Sequence, residues 1–142
     1  MQTVARRSVL LLALAAVALV PTIAEAAQIV PGARPAVVIK TSNLGKVIAT
    51  PAKLGIYYWD VEKQAGGKIR CTGSCAVAWP PVFVKGAVPR HLKGVMATLG
   101  TVKRGGRRQL TVNGLPAYTY EHDTAGVVLC DNVGGWFAVR PK

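Results

Sequence analysis

Acidic residues are scarce in this chain of 142 residues, where 6 Asp and Glu stand against 18 Lys and Arg. Paired-carboxylate catalysis needs two well-placed acids. Beyond residue 26 the only acids are Asp60, Glu62, Glu121, Asp123 and Asp131, and each reads as ion-paired or turn-capping. Histidine and methionine are equally sparse, at two each. A blue-copper centre requires two His, a Cys and usually an axial Met. His91, His122, Cys130 and Met96 supply that inventory, yet no His or Met follows Cys130, where the pattern expects them. Cys71 and Cys75 form half of a binuclear copper pattern, but Trp79 and Val82 occupy the positions that need His and Met. Cys71, Cys75 and His91 remain only weak candidates for a metal. No nucleophile lies beside a histidine in a recognisable signature. Neither a catalytic residue nor a cofactor is expected.

Long apolar runs are missing too. The longest, Val9–Val20, would span about 18 Å as a helix, short of a hydrocarbon core of about 30 Å. With Arg6-Arg7 before it and Ala24-Glu25-Ala26 after it, the run reads as a cleaved secretory signal over 1–26. The stretch Ala5–Leu10 loosely resembles a twin-arginine signal. Acylation at the cleavage point would need a cysteine there, and the first is Cys71. A periplasmic or secreted protein that does not span the membrane is therefore expected. The 116 residues after the signal keep 16 basic and 5 acidic side chains. Hydrophobic content drops to about 47%, ordinary for one globular domain. The mean hydropathy of +0.31 thus owes much to the signal, whereas the charge belongs to the mature chain. A linker over 27–35 and a single domain over 36–142 follow.

In an oxidising compartment, Cys71 and Cys75, four apart, are read first as a disulfide, although either alternative pairing with Cys130 stays open. Closing so short a loop contributes about 2 kcal/mol.

No stretch of eleven residues carries apolar positions at helical spacing. Short β-rich runs between Gly and Pro appear instead: 36–41, 46–50, 54–61, 81–84, 107–112, 117–121, 127–130 and 135–140. Asn113-Gly114 predicts a tight hairpin, because a type I′ turn needs positive φ at both positions. Gly105-Gly106 gives a weaker turn signal, and 89–99 has room for one short helix. The expected fold is all-β: a small, loop-rich antiparallel domain. Landmarks recur along it, as Leu44-Gly45 and Leu99-Gly100, Tyr57 and Tyr118, Trp79 and Trp136. They suggest two pseudo-repeats, about 36–85 and 97–141.

Tyr57-x-Trp59-x-x-Glu62 and Tyr118-x-Tyr120-x-x-Asp123 share the order aromatic, aromatic, acid. On a strand the two aromatics would share one face. The plain expectation is a pair of core aromatics followed by a turn-closing carboxylate; the functional alternative is an aromatic–acid surface for a ligand. Lys103, Arg104, Arg107 and Arg108 gather around a turn as a candidate anion contact. Without a recognition motif, specific nucleic-acid binding is not expected.

These motifs, with Cys71-x-Gly73-x-Cys75-Ala76-x-x-Trp79-Pro80-Pro81, Gln109 to Tyr118 and Gly134-Gly135-Trp136-Phe137, resemble a bacterial family of secreted repeats and predicted lipoproteins. That family is known by a Tyr-x-(Phe/Trp/Tyr)-x-x-Asp motif. The likeness covers about residues 36–141; Glu62 in place of Asp, Cys130 and the missing lipidation cysteine depart from it. It implies a two-repeat β domain in the cell envelope and no assigned activity. The expectation is a non-enzymatic domain docking on an anionic envelope component, whether lipid headgroup, polysaccharide or acidic protein. The alternative is a redox or metal-handling protein using Cys71 and Cys75.

Overall fold

A computed structural model describes residues 34–142. The expected signal segment, and all of the linker but residues 34 and 35, lie outside the described residues. The architecture rests on two hairpins. β1 (Val37–Thr41) pairs antiparallel with β2 (Gly45–Ala49), from Val37 opposite Ala49 to Thr41 opposite Gly45. The second hairpin comes after β3 (Tyr57–Trp59), two one-turn helices, α1 (Asp60–Gln64) and α2 (Ser74–Ala78), and β4 (Phe83–Val84). There β5 (Leu99–Arg104) pairs with β6 (Arg107–Val112). β6 then turns through Asn113 and Gly114, with φ of 53° and 80°, into β7 (Leu115–Pro116). Both φ values are positive, as the sequence demanded of this turn. β4 covers the other edge of β6, and β8 (Trp136–Ala138) pairs with β3. The fold is all-β with small antiparallel sheets. Among the described residues no helix is long and apolar enough to cross a membrane.

Two closed rings of backbone hydrogen bonds tie distant strands together. In one, Ile48 N donates to Val139 O, Val139 N to Ile56 O, and Ile56 N to Ile48 O, at 2.8–2.9 Å. In the other, Leu110 N donates to Val82 O, Val82 N to Ala117 O, and Ala117 N to Leu110 O, again at 2.8–2.9 Å. Between the rings Tyr57 and Tyr118 exchange both backbone bonds, at 2.8 and 3.0 Å. Ile48, Ile56, Leu110, Ala117 and Val139 form the centre of an aliphatic core, with Val82 packed against it. A second core is aromatic: Tyr57, Tyr118, Trp79 and Trp136, with Val47, Cys71, Val128 and Ala138. Satisfying the backbone in rings lets short strands bury side chains without leaving unpaired donors.

Several expected elements differ. The run 54–61 is a strand only at Tyr57–Trp59; Asp60 N makes one further bond across, to Gly135 O, where the chain leaves the strand. Asp60 to Gln64 then make a helical turn, braced by the bond from Gln64 Nε2 to Asp60 Oδ2 at 2.6 Å. Behind it Gly67, at φ 81°, lies so near the Asn113-Gly114 turn that a Cβ would stand 2.6 Å from Gly114 O. Residues 117–121 form no continuous strand; Tyr118 makes single bridges to Tyr57 and Pro81. The run 127–130 is irregular, and no helix occurs over 89–99, where Leu99 opens β5. The Leu-Gly landmarks do not correspond: Leu44 sits in the first hairpin turn, whereas Leu99 begins a strand.

Candidate functional site

The six residues of the two motifs, together with Trp79 and Trp136, meet at the aromatic core, and the two motifs interlock. Tyr57 of the first donates its hydroxyl to Asp123 Oδ2 of the second at 2.6 Å. Tyr118 of the second donates to Glu62 Oε1 of the first at 2.7 Å. The acids are therefore not the turn caps expected from the sequence. Glu62, on α1, is fully buried, and its Oε1 also accepts from Arg70 N at 2.7 Å and Cys71 N at 3.1 Å. Its Oε2 has no hydrogen-bond partner among the described residues. Asp123, from the turn after Tyr120, spreads its bonds, with Oδ1 accepting from Leu129 N at 3.0 Å. Burial lifts the Asp123 carboxyl above its ordinary pKa, while the bonds from Tyr57 and Leu129 N pull it back. Burial, and then the Glu62 bond, push the Tyr118 hydroxyl up to about 12. Tyr57 is pushed further up by burial and by Asp123.

The remaining motif aromatics stack into a ladder. Trp59 lies over Trp136 at 5.3 Å, Trp136 over Trp79 at 3.9 Å, and Trp79 beside Tyr120 at 4.8 Å. Tyr57 meets the edge of Trp79, and Tyr118 the edge of Trp136, both at 5.2 Å. Each such pair contributes about 0.5–1.5 kcal/mol beyond area burial. Trp79 and Trp136 are 9% and 5% exposed, so the ladder's centre is core and not a ligand platform. Tyr58, off the ladder, stacks on Phe137 at 5.5 Å.

Cys71 and Cys75 are joined in a disulfide. Cys130 is free and half-buried against the aromatic core. Among the described residues, no three His, Cys, Asp or Glu side chains are grouped to hold a metal, so Cys71, Cys75 and His91 do not converge. His91 and His122 are exposed. Of the acids, Asp131 is ion-paired, with Arg140 at 2.9 Å, and Glu121 stands 3.6 Å from His122.

The basic cluster divides. Arg104 turns inward, donating to Gln109 Oε1 at 3.1 Å, to the Tyr118 hydroxyl at 3.2 Å and to Cys71 O. It supports the Tyr118–Glu62 bond and, so engaged, does not join the exposed cations of the turn as the sequence suggested. The Arg107 guanidinium lies over the Phe83 ring, 3.4 Å from its centroid. Arg108 donates to Thr101 Oγ1 at 2.7 Å, and Lys103 is exposed opposite it. Lys103 and Arg108 are thus a like-charged cross-strand pair, which costs stability. A second pair of this kind, Lys40 opposite Lys46 on the first hairpin, was missed from the sequence. Its only signal there is two lysines flanking the Thr41-Ser42-Asn43-Leu44-Gly45 turn.

Residues 38–83 match the model of a family described as a secreted repeat of unknown function, the family suggested by the motifs. No curated protein and no solved structure matches the chain.

Proposed function

We propose that this is an exported, non-enzymatic binding domain that docks on an acidic partner through the end of the β5–β6 hairpin. The supporting observation is the like-charged pair of Lys103 and Arg108. Both residues are exposed, and neither has an acidic partner among the described residues. Arg107, exposed and braced on Phe83, adds a third cation. Cations held side by side at a cost to folding are relieved by a bound anion, and such binding is screened by salt. Few acids remain to compete: Glu62 and Asp123 are buried on tyrosines, and Asp131 is taken by Arg140.

Binding of the full chain to lipopolysaccharide at 0.05 and 0.5 M salt tests the reading. Affinity is expected to fall steeply with salt, and at least tenfold in the triple variant Lys103→Gln, Arg107→Gln, Arg108→Gln. Salt-insensitive binding, or a triple variant that binds like the parent, overturns it.

A further inference from the structure

The two bond rings imply a correspondence between the hairpins. Ile48 and Leu110 occupy the same place in their rings, as do Ile56 and Ala117, and Val139 and Val82. The match continues outward: Asp60 N donates to Gly135 O at 2.8 Å, and Glu121 N donates to Ala78 O at 3.0 Å. Trp59 lies opposite Trp136, while Tyr120 packs, tilted, beside Trp79. Along β2 and β6, two residues before Ile48 and Leu110, stand Lys46 and Arg108. Their cross-strand partners are Lys40 and Lys103. The correspondence therefore carries one exposed cationic pair onto the other, and a local coincidence on one hairpin does not account for both.

We infer that the domain is bivalent: Lys40 with Lys46 forms a second anion-docking pair equivalent to Lys103 with Arg108, and together they engage an exported polysaccharide that carries anionic groups at regular intervals. This rests on the docking function proposed above and names its partner. Two like pairs match a ligand that repeats. Lysine supplies a compact point charge that accepts a single carboxylate, sulfate or phosphate without bidentate geometry. A bilayer partner is disfavoured by what the hairpins lack. The exposed large hydrophobic residues among those described are Val61, Val77, Met96, Leu129 and Val133, and none lies on either hairpin. Interfacial membrane binding draws on apolar side chains inserted beside the charges.

The test compares the full chain with Lys40→Gln/Lys46→Gln, with Lys103→Gln/Arg108→Gln, and with the fourfold variant, each titrated with polygalacturonate and with monomeric galacturonate. Each double variant is expected to lose about tenfold or more on the polymer, because two linked contacts gain by effective concentration. On the monomer, whose single carboxylate can occupy only one pair at a time, each double variant should lose only about twofold. The parent is expected to cross-link the polymer into turbid assemblies, and neither double variant should. Thermal unfolding separates binding from folding, since removing a like-charged pair should leave the midpoint unchanged or raised. If Lys103→Gln/Arg108→Gln abolishes polymer binding while Lys40→Gln/Lys46→Gln is silent, bivalency is wrong and the single-site docking function stands. If neither variant changes binding, both proposals fail. Tighter binding to phosphatidylglycerol vesicles than to the polymer overturns the choice of partner.

Discussion

The bond from Tyr57 to Asp123 and the bond from Tyr118 to Glu62 do the same job with different parts. Each carries a tyrosine of one motif onto the acid of the other, 66 and 56 residues away. Asp123 reaches its tyrosine from an open turn and divides two donors between two oxygens. Glu62 starts from a helical turn, and three donors converge on one oxygen while the other has none among the described residues. Around Tyr118 stand Arg104, Gln109 and the disulfide-bonded Cys71; among the described residues no cation is bonded to the Tyr57 hydroxyl. One methylene more on the acid is thus absorbed by a change of local backbone. The exchange between motifs is kept, and the Glu62 side is the more heavily braced.

Removing the acids should separate the two sides most. Glu62→Ala strands three donors and Asp123→Ala two, at about 1–3 kcal/mol each. Chemical denaturation should therefore show a loss of about 3–9 kcal/mol for the first and about 2–6 kcal/mol for the second, with the first the larger. Equal losses would erase the asymmetry.

Alkaline pH probes both sides together. An unfolded tyrosine ionises near pH 10, whereas folded Tyr118 holds its proton to about 12 and Tyr57 beyond. The folded state thus binds more protons in this window. Stability is whole below pH 10 and falls by about 1.4 kcal/mol per pH unit per tyrosine as pH rises toward 12. Denaturation curves at pH 9, 10 and 11 should show this, and Tyr57→Phe or Tyr118→Phe should each flatten the fall.

Replacing Cys71 and Cys75 by Ser should cost about 2 kcal/mol by the loop-closure argument. The effect should be lopsided. Amide exchange at Arg70 and Cys71, which face Glu62, should accelerate, and exchange at Leu129, which faces Asp123, should not. The smallest effect belongs to Arg140→Gln, which breaks a partly exposed pair outside both tyrosine–acid contacts and should cost under about 1 kcal/mol. Arg140 holds the Asp131 carboxyl below its ordinary pKa. Its contribution is therefore present above pH 4 and fades on acidification.

Much of the frame was legible in the residues. Asn113-Gly114 announced its turn because few other dipeptides adopt two positive φ values, and the cysteine spacing announced the disulfide. The motif aromatics announced a core. β5 was missed because Gly100, Lys103 and Arg104 dilute its apolar alternation. The helical turn at Asp60–Gln64 was hidden by the β-forming aromatics that lead into it. Nothing local marked the exchange of acids. A carboxylate three residues past an aromatic looks like a turn cap until the chain returns a tyrosine to it from the other motif. Arg104 read as surface charge for the same reason, its partners Tyr118 and Cys71 being set by tertiary packing.

The central claim is that the two motifs hold each other, and crossed double-mutant cycles measure it directly. Tyr57→Phe with Asp123→Asn, and Tyr118→Phe with Glu62→Gln, should each show a coupling of about 1–3 kcal/mol. The same-motif combinations, Tyr57→Phe with Glu62→Gln and Tyr118→Phe with Asp123→Asn, should add within about 0.5 kcal/mol. Coupling within a motif, with additivity across motifs, would contradict the account.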